Sequence, residues 1–574
     1  MTANHRKRPL AHRRRAGFRA RRPVLSFLVA ACLLVAALAA AGLVWDPFPA
    51  GAGPAGHASG TGVPGTAVHG GRPDATPAVP VPAPATTGPS GTPAPGATGG
   101  TGNGTGGDPQ DGDGAPTRPA GALPFDMPAP ATLRASGKLV FAHYFTPYPL
   151  SLDNAPAAQD YYTRNYLHPD GENGKHDAYG GLLRDRPLPV APQPGDWQLA
   201  NLKREVRTAR DAGLDGFTLD LLSLSGQNWE RCKLLLEAAR SVDPAFRIML
   251  MPDMTSLKTD DPAVLAGVLA ELGRAPSAHR LSDGRLVVSP FKAEQQSADW
   301  WRKVLDTLRE RHGIRTAFVP LFLDFGAHSA AFAPISHGFS EWGSRSYTGQ
   351  ESSARDVRRA HSLGKIWMQP VSVQDARPNQ GVYDEAGNTA TLRATWTRAI
   401  EDGADWVQLT TWNDYSEGTQ FAPSVHNGHT YLDLSSYYLT RFKTGSWPRI
   451  VRDTLYVTAR TQFAGADPTG DQSLVMNLRR GSAPARDTVE VLSFLTAPAT
   501  VRTTVGTARD SHRAPAGVHA ELLPLRTGTG AAAVERNGRT TTEARLRYPV
   551  ARTVEVQDLQ YQGVTSGRDV PTCC

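Results

Sequence analysis

Cysteine is scarce in this chain of 574 residues: there are four, at positions 32, 232, 573 and 574. So few exclude a disulfide-stapled scaffold, and their spacing excludes a four-cysteine zinc site. Other signatures are missing too. The sequence contains no GxSxG nucleophile elbow and no HExxH motif. No Gly-rich phosphate turn follows the first strand-like run, where a dinucleotide fold would carry it. Asp and Glu are absent from residues 1–23, which hold nine Lys and Arg. The formal net charge is +7, and removing those nine charges leaves −2 for residues 24–574. The basicity therefore belongs to a leader and gives no ground for a nucleic-acid partner. Hydrophobic residues make up 40% of the chain, enough for a large core.

Behind the basic run, Val24–Trp45 is 22 residues without a charge. It is long enough to cross about 30 Å of hydrocarbon as a helix. Arginines on its N-terminal side orient it with the N-terminus in the cytoplasm. The expectation is a single-pass membrane anchor with the rest of the chain outside the cell. The small residues of Ala37–Ala41 also allow a cleaved signal peptide and a secreted product. Residues 46–132 read as a disordered linker; 38 of residues 46–130 are Gly or Pro, and such a segment cannot offset its ordering entropy by burial.

From 136 to 448 short apolar runs alternate with helical patterns. The runs are Lys138–Phe145, Gly216–Leu222, Arg247–Pro252, Leu286–Pro290, Ala317–Leu323, His337–Trp342, Lys365–Val373 and Trp406–Thr411. Eight nearly continuous apolar strands separated by helices indicate a parallel sheet buried on both faces, and a (β/α)8 TIM barrel fits the count. In a barrel the chemistry gathers where strands end. Those ends carry His143-Tyr144, Asp220, Asp253, Asp324, Glu341-Trp342 and Trp412-Asn413-Asp414-Tyr415-Ser416-Glu417. Carboxylates among aromatics suit glycoside hydrolysis, with one carboxyl protonating the leaving oxygen and another directing water or attacking. Two carboxylates three residues apart, Asp414 and Glu417, directly after a buried strand, are the strongest signal. Asp253 and Asp324 read as loop caps or Arg partners as readily as site residues. Asp215, at the start of its strand, reads as structural.

The segments KLVFAHYF (138–145), AGLDGFTLDLL (212–222) and TTWNDYSEG (410–418) resemble glycoside hydrolase family 71, the endo-α-1,3-glucanases called mutanases. The resemblance implies a barrel enzyme that cleaves internal α-1,3-glucosidic bonds with inversion, using neither metal nor cofactor. It implies Asp414 and Glu417 as the carboxylate pair, with Glu417 the acid and Asp414 the base, and Asp220 as a third acidic group beside them. His143, Tyr144, Trp412, Asn413 and Tyr415 would line the sugar groove, with Asp253, Asp324 and Trp342 as further substrate contacts. One departure is Ser289–Glu294 (SPFKAE), where Lys292 replaces an expected carboxylate and Glu294 is a candidate substitute. It keeps open a related hydrolase of another α-linked polysaccharide such as α-mannan. A non-catalytic, membrane-tethered glycan-binding protein is the reading from a different class. The aromatic insertion 148–194 reads as a lid or a surface loop.

Residues 449–574 alternate short Thr- and Val-rich segments with turns, which predicts an antiparallel β-sandwich. Expected strands include Thr454–Ala459, Asp487–Leu495, Ala499–Val505, Thr541–Tyr548 and Thr553–Leu559. A monomer acting on a polysaccharide is the expected working form.

Overall fold

The computed structural model describes residues 123–257 and 259–568. The expected anchor at 24–45, most of the linker and Cys573-Cys574 lie outside them. Among the described residues no helix is long and apolar enough to cross a membrane. The linker expectation is corrected at its end. Residues 123–132 are packed, with Leu123 and Phe125 buried and the Phe125 ring 5.2 Å from that of Tyr437. The two apolar side chains anchor a stretch whose average composition conceals them.

Nine parallel strand segments share one sheet. They are β1 (Leu139–Tyr144), β2 (Gly216–Leu221), β3 (Arg247–Pro252), β4 (Leu286–Val288), β5 (Thr316–Phe318), β6 (Leu321–Phe322), β7 (Gly338–Glu341), β8 (Ile366–Val371) and β11 (Trp406–Leu409). The short strands β9 (Asp375–Arg377) and β10 (Val382–Asp384) fall between the last two and form a separate small sheet with β13 (Asn477–Leu478). The order in the large sheet is β5-β4-β3-β2-β1-β11-β8-β7-β6. The end strands β5 and β6 are consecutive in the chain. The run expected as one strand divides at Val319-Pro320, because Pro320 has no N–H to give. Before the break, Val319 N donates to Val288 O (2.9 Å); beyond it, β6 pairs with β7. The sheet therefore curls as a (β/α)8-like barrel.

Helices alternate with the strands: α1 (Trp197–Asp211), α2 (Gly226–Val242), α3 (Pro262–Gly273), α4 (Ala298–His312), α5 (Phe325–Phe332), α6 (Ser353–Ser362), α7 (Ala390–Glu401) and α8 (Thr430–Thr444). Local chemistry sets their ends. Asp196 accepts from Leu199 N at the start of α1, and Gly213 at φ +94° leaves its far end. Ser297 caps α4 in the same way.

Strand residues point alternately in and out. Phe141, Met249, Val287, Ala317, Val319, Met368 and Trp406 fill the barrel's interior as one cluster. The outward residues Val140, Ala142, Tyr144, Phe217 and Leu219 pack with α1 and α2 in a second core. Above the inner cluster the interior turns polar, and the site begins there.

Beyond the barrel are two four-stranded antiparallel sheets. In the first, β17 (Gly517–Pro524), β14 (Thr488–Leu495), β12 (Thr454–Arg460) and β20 (Tyr561–Thr565) are neighbours in that order. In the second the order is β16 (Ala508–Ala514), β15 (Ala499–Val505), β18 (Gly530–Arg536) and β19 (Arg539–Arg545). Leu455, Val457, Val489 and Val491 of one share a core with Val501, Val505, Ala532 and Val534 of the other. Residues 553–559, expected as a strand, are irregular; β20 starts at Tyr561. These sheets join the barrel through buried polar contacts. Arg460 pairs with Glu385 at 2.7 Å, Tyr561 Oη donates to the same carboxylate at 2.7 Å, and Arg393 pairs with Glu490 at 3.0 Å.

Candidate active site

The C-terminal ends of β1, β2, β3, β7 and β11 converge. His143 points inward from β1, with its Nε2 3.5 Å from Asp220 Oδ2 on β2. Both side chains are almost fully buried. Burial pushes the imidazole down to about 4, against the opposing pull of Asp253 and Glu417. Burial pushes the Asp220 carboxyl well above its usual range, and the negative charges of Asp253 and Glu417 add to this. The imidazole is therefore uncharged at neutral pH, and the carboxyl beside it is held toward its protonated form. Trp342, after β7, closes one side: its ring lies 5.3 Å from His143, edge to face, and 4.8 Å from Phe291.

The loop after β11 brings Asp414 and Glu417 to the same mouth. Asp414 Oδ1 accepts from Ser416 Oγ (2.6 Å), Ser416 N (3.0 Å) and Glu417 N (3.3 Å). Burial raises its carboxyl to about 6, less than it otherwise would, because Ser416 and Arg377 favour the ionised form. Glu417 is raised to about 8, first by burial and then by Asp414 and Asp375, although Arg377 Nη1 lies 2.6 Å from its Oε1. Arg377 draws the Glu417 carboxyl down, but by less than burial raises it, and it also serves a second carboxylate. Its Nε and Nη2 form a two-pronged bond to Asp375, at 2.7 and 2.6 Å, and that carboxylate is fully buried. Burial opposes ionisation of Asp375, yet Arg377, Arg479 and Arg345 hold it below the usual carboxylate range. Arg345 is itself buried, donates to Trp342 O, Ser372 Oγ and Thr410 Oγ1, and lies over the Trp342 ring at 4.5 Å.

Not every expected residue reaches this mouth. Tyr144 points outward, as the neighbour of an inward His143 must. Its Oη donates to Glu205 Oε2 at 2.9 Å under α1. Trp412 is in the same outer layer, with its ring 5.0 Å from Phe217 and its Nε1 3.4 Å from Glu205 Oε1. Asn413 is a backbone clamp, accepting from Phe145 N (2.7 Å) and donating to Phe145 O (2.9 Å) and Tyr148 O (2.8 Å). Tyr415 turns away into a cluster with Tyr148, Tyr162 and Leu183 of the insertion. Asp253 accepts from Thr255 N and Oγ1 and from Ser256 N and Oγ, so it caps its own loop, although it lies near enough to act on the charges of His143 and Asp220. Asp324 caps α5 through Ala327 N and opens into a separate cleft of about 610 Å³ shared with Glu341, Asp356 and Arg359. Glu294 does not substitute for a site carboxylate, because its Oε1 holds Leu323 N (2.7 Å) at the end of β6. Asp215 holds Val140 N (2.6 Å) and Lys443 (2.5 Å) at the opposite end of the barrel.

Arg345, Asp375 and Arg377 complete the site and are absent from the sequence expectations. Asp375-Ala376-Arg377 follows an apolar strand just as Asp414–Glu417 follows another, so the same rule would have found it. This segment is β9, paired with β10 and tied to Glu417 O through Ala376 N at 2.7 Å.

A family model, glycosyl hydrolase family 71, matches residues 192–560. The chain belongs to that family. It is thus a glycoside hydrolase, and the family 71 match extends beyond the barrel through most of the two β-sheets. Among characterised relatives, a mutanase of Penicillium rubens is 24% identical over 372 residues, 60% of this chain and 80% of its own length. The ascus wall endo-1,3-alpha-glucanase of Schizosaccharomyces pombe is 23% identical over 375 residues, 58% of this chain and 84% of its own. Among solved structures, a GH99 endo-alpha-mannosidase has a TM-score of 0.41 at 14% identity, covering 53% of this chain and 97% of its own.

The burial of Tyr144, Trp412 and Glu205 beneath α1 gives a direct test of their role in this family 71 barrel. Replacing Glu205 by Leu leaves two buried donors unpaired, at about 1–3 kcal/mol each. The expected result is a loss of about 2–6 kcal/mol in chemical denaturation, with KM for glycan unchanged at temperatures where the variant stays folded. A raised KM without loss of stability would return these side chains to the groove.

Proposed function

We propose that the chain closes as a full eight-stranded barrel and hydrolyses α-1,3-glucan with inversion at the anomeric carbon. The observation that carries this reading is one mouth holding two carboxyls of unlike environment: Asp414 Oδ1 accepts from three donors of its own loop, while Glu417 meets Arg377 and the negative charges of Asp414 and Asp375. A direct displacement by water needs both forms at once: an ionised base to take the water proton and a protonated acid to give one to the leaving oxygen. Its own loop's donors favour the ionised form of Asp414, and burial beside Asp414 and Asp375 favours the protonated form of Glu417. Asp414 is then the base, its Oδ1 held by three donors, and Glu417 is the acid, steered by Arg377. Asp220 and the uncharged His143 offer hydrogen-bonding groups to substrate hydroxyls, and Trp342 a ring edge. The names of the two fungal relatives support α-1,3-glucan as the substrate. The charge-free run at 24–45 behind nine basic residues supports action outside the cytoplasm, tethered or released.

The test offers insoluble α-1,3-glucan, α-1,4-glucan and α-mannan to the purified full-length chain and follows soluble sugar. Release from α-1,3-glucan alone, with the β-anomer appearing first by NMR, is the expected result. Release from α-mannan instead would transfer the reading to the other polysaccharide, and an α-anomer first would replace inversion by retention.

A further inference from the structure

The β-sheet region carries a second cluster of metal-binding side chains, far in sequence from the barrel's carboxylates. On strand β16, Asp510 and His512 are two residues apart and so share a face. On strand β17, His519 and Glu521 repeat that spacing in reverse, with six residues between the two halves. The motif D-x-H-x6-H-x-E is thus a mirror image about the turn at Pro515-Ala516. The turn connects two sheets: among the described residues β16 pairs only with β15 at one sheet's edge, and β17 only with β14 at the other's.

The fold completes what the spacing suggests. Ligand atoms of Asp510, His512 and Glu521 all lie within 4.8 Å of one another. His512 Nδ1 is 2.8 Å from Glu521 Oε2 and 3.9 Å from Asp510 Oδ2. At 2.8 Å an imidazole N–H would normally bond the carboxylate. Yet both atoms are shielded from solvent and their contact lacks hydrogen-bond geometry. Three ligand atoms gathered this closely on facing edge strands form one side of a coordination shell. His519 is close enough for its charge to act on His512, and its ring is held by a 3.3 Å bond to Ala516 O.

We propose that Asp510, His512 and Glu521 form a zinc-binding site that ties the edge strands of the two β-sheets together, with His519 or water as the fourth ligand. One imidazole with two carboxylate oxygens is a borderline donor set that suits Zn²⁺ in tetrahedral coordination better than Ca²⁺ or Mg²⁺, which take oxygen shells. A metal there also covers two strand edges that would otherwise offer unpaired backbone groups.

Titrating the metal-stripped full-length protein with ZnCl2 by calorimetry is expected to give one site per chain. Protons are released, and the thermal midpoint rises at saturation. His512→Ala and Glu521→Gln should each weaken binding about tenfold or more and abolish the thermal shift, while the control Glu543→Gln changes neither. The variants are partly exposed edge substitutions, and circular dichroism confirms that they fold. Turnover of glycan should be the same in His512→Ala as in the wild type, which separates this site from the proposed catalytic reading. Absence of zinc binding in the stripped protein, or binding that persists in both variants, would overturn the proposal.

Discussion

Asp414→Asn and Glu417→Gln are each expected to lower turnover of α-1,3-glucan by about 10²–10⁴-fold, the range for losing one general acid or base. The replacements are close in shape. An amide at position 414 would keep an acceptor for Ser416, and one at position 417 an oxygen for Arg377, so the loop that both share has no reason to move. The two losses should differ in pH dependence. The base must be ionised, so the wild-type rate climbs as pH rises through about 6, and that limb disappears in Asp414→Asn. The acid must be protonated, so the rate falls as pH passes about 8, and that limb disappears in Glu417→Gln. Because the groups interact, the measured limbs belong to the pair. The check is kcat/KM across both limbs on soluble oligosaccharide, with circular dichroism for folding. Full activity in both variants would remove the assignment.

The barrel was legible because its strands are apolar on both faces, and that same property concealed which side chains face inward. A run such as KLVFAHYF locates β1 without a polar alternation to orient it. His143 and Tyr144 were therefore assigned to the same groove, when a two-residue period forces them apart. Trp412 was misplaced for the same reason: a Trp beside an acidic motif reads as a sugar platform, and only the fold shows it against Phe217. Asp253 and Asp324 illustrate a different limit. A carboxylate at a strand end is also the residue that best caps the turn or helix that follows, and both cap. Asp414 also caps its own loop, and differs in lying beside Glu417 at the mouth that Asp220 enters. The supporting arginines were hidden by distance. Arg345, Arg377 and Arg479 come from three separate segments, and only the folded chain gathers them around Asp375.

Replacing Arg377 by Met should reveal how that support works. Asp375 would remain buried, with Arg345 and Arg479 each no nearer than 3.8 Å, and breaking a buried pair in this way costs about 3–5 kcal/mol. The pH profile should shift as well. Arg377 draws the carboxyls of both Asp414 and Glu417 downward, so without it each ionises at higher pH. The sign is the same for both limbs: the bell as a whole moves to the alkaline side, by at least about one pH unit. Arg377→Lys separates charge from geometry. An ammonium keeps the positive charge but lacks the planar fork that bonds Asp375 with two N–H groups while a third reaches Glu417. Lysine should therefore restore most of the bell's position while leaving much of the stability loss. A purely structural Arg377 would lower stability in both variants and leave the limbs of kcat/KM where they are in the wild type, so the profile decides whether this arginine sets the protonation of the acid.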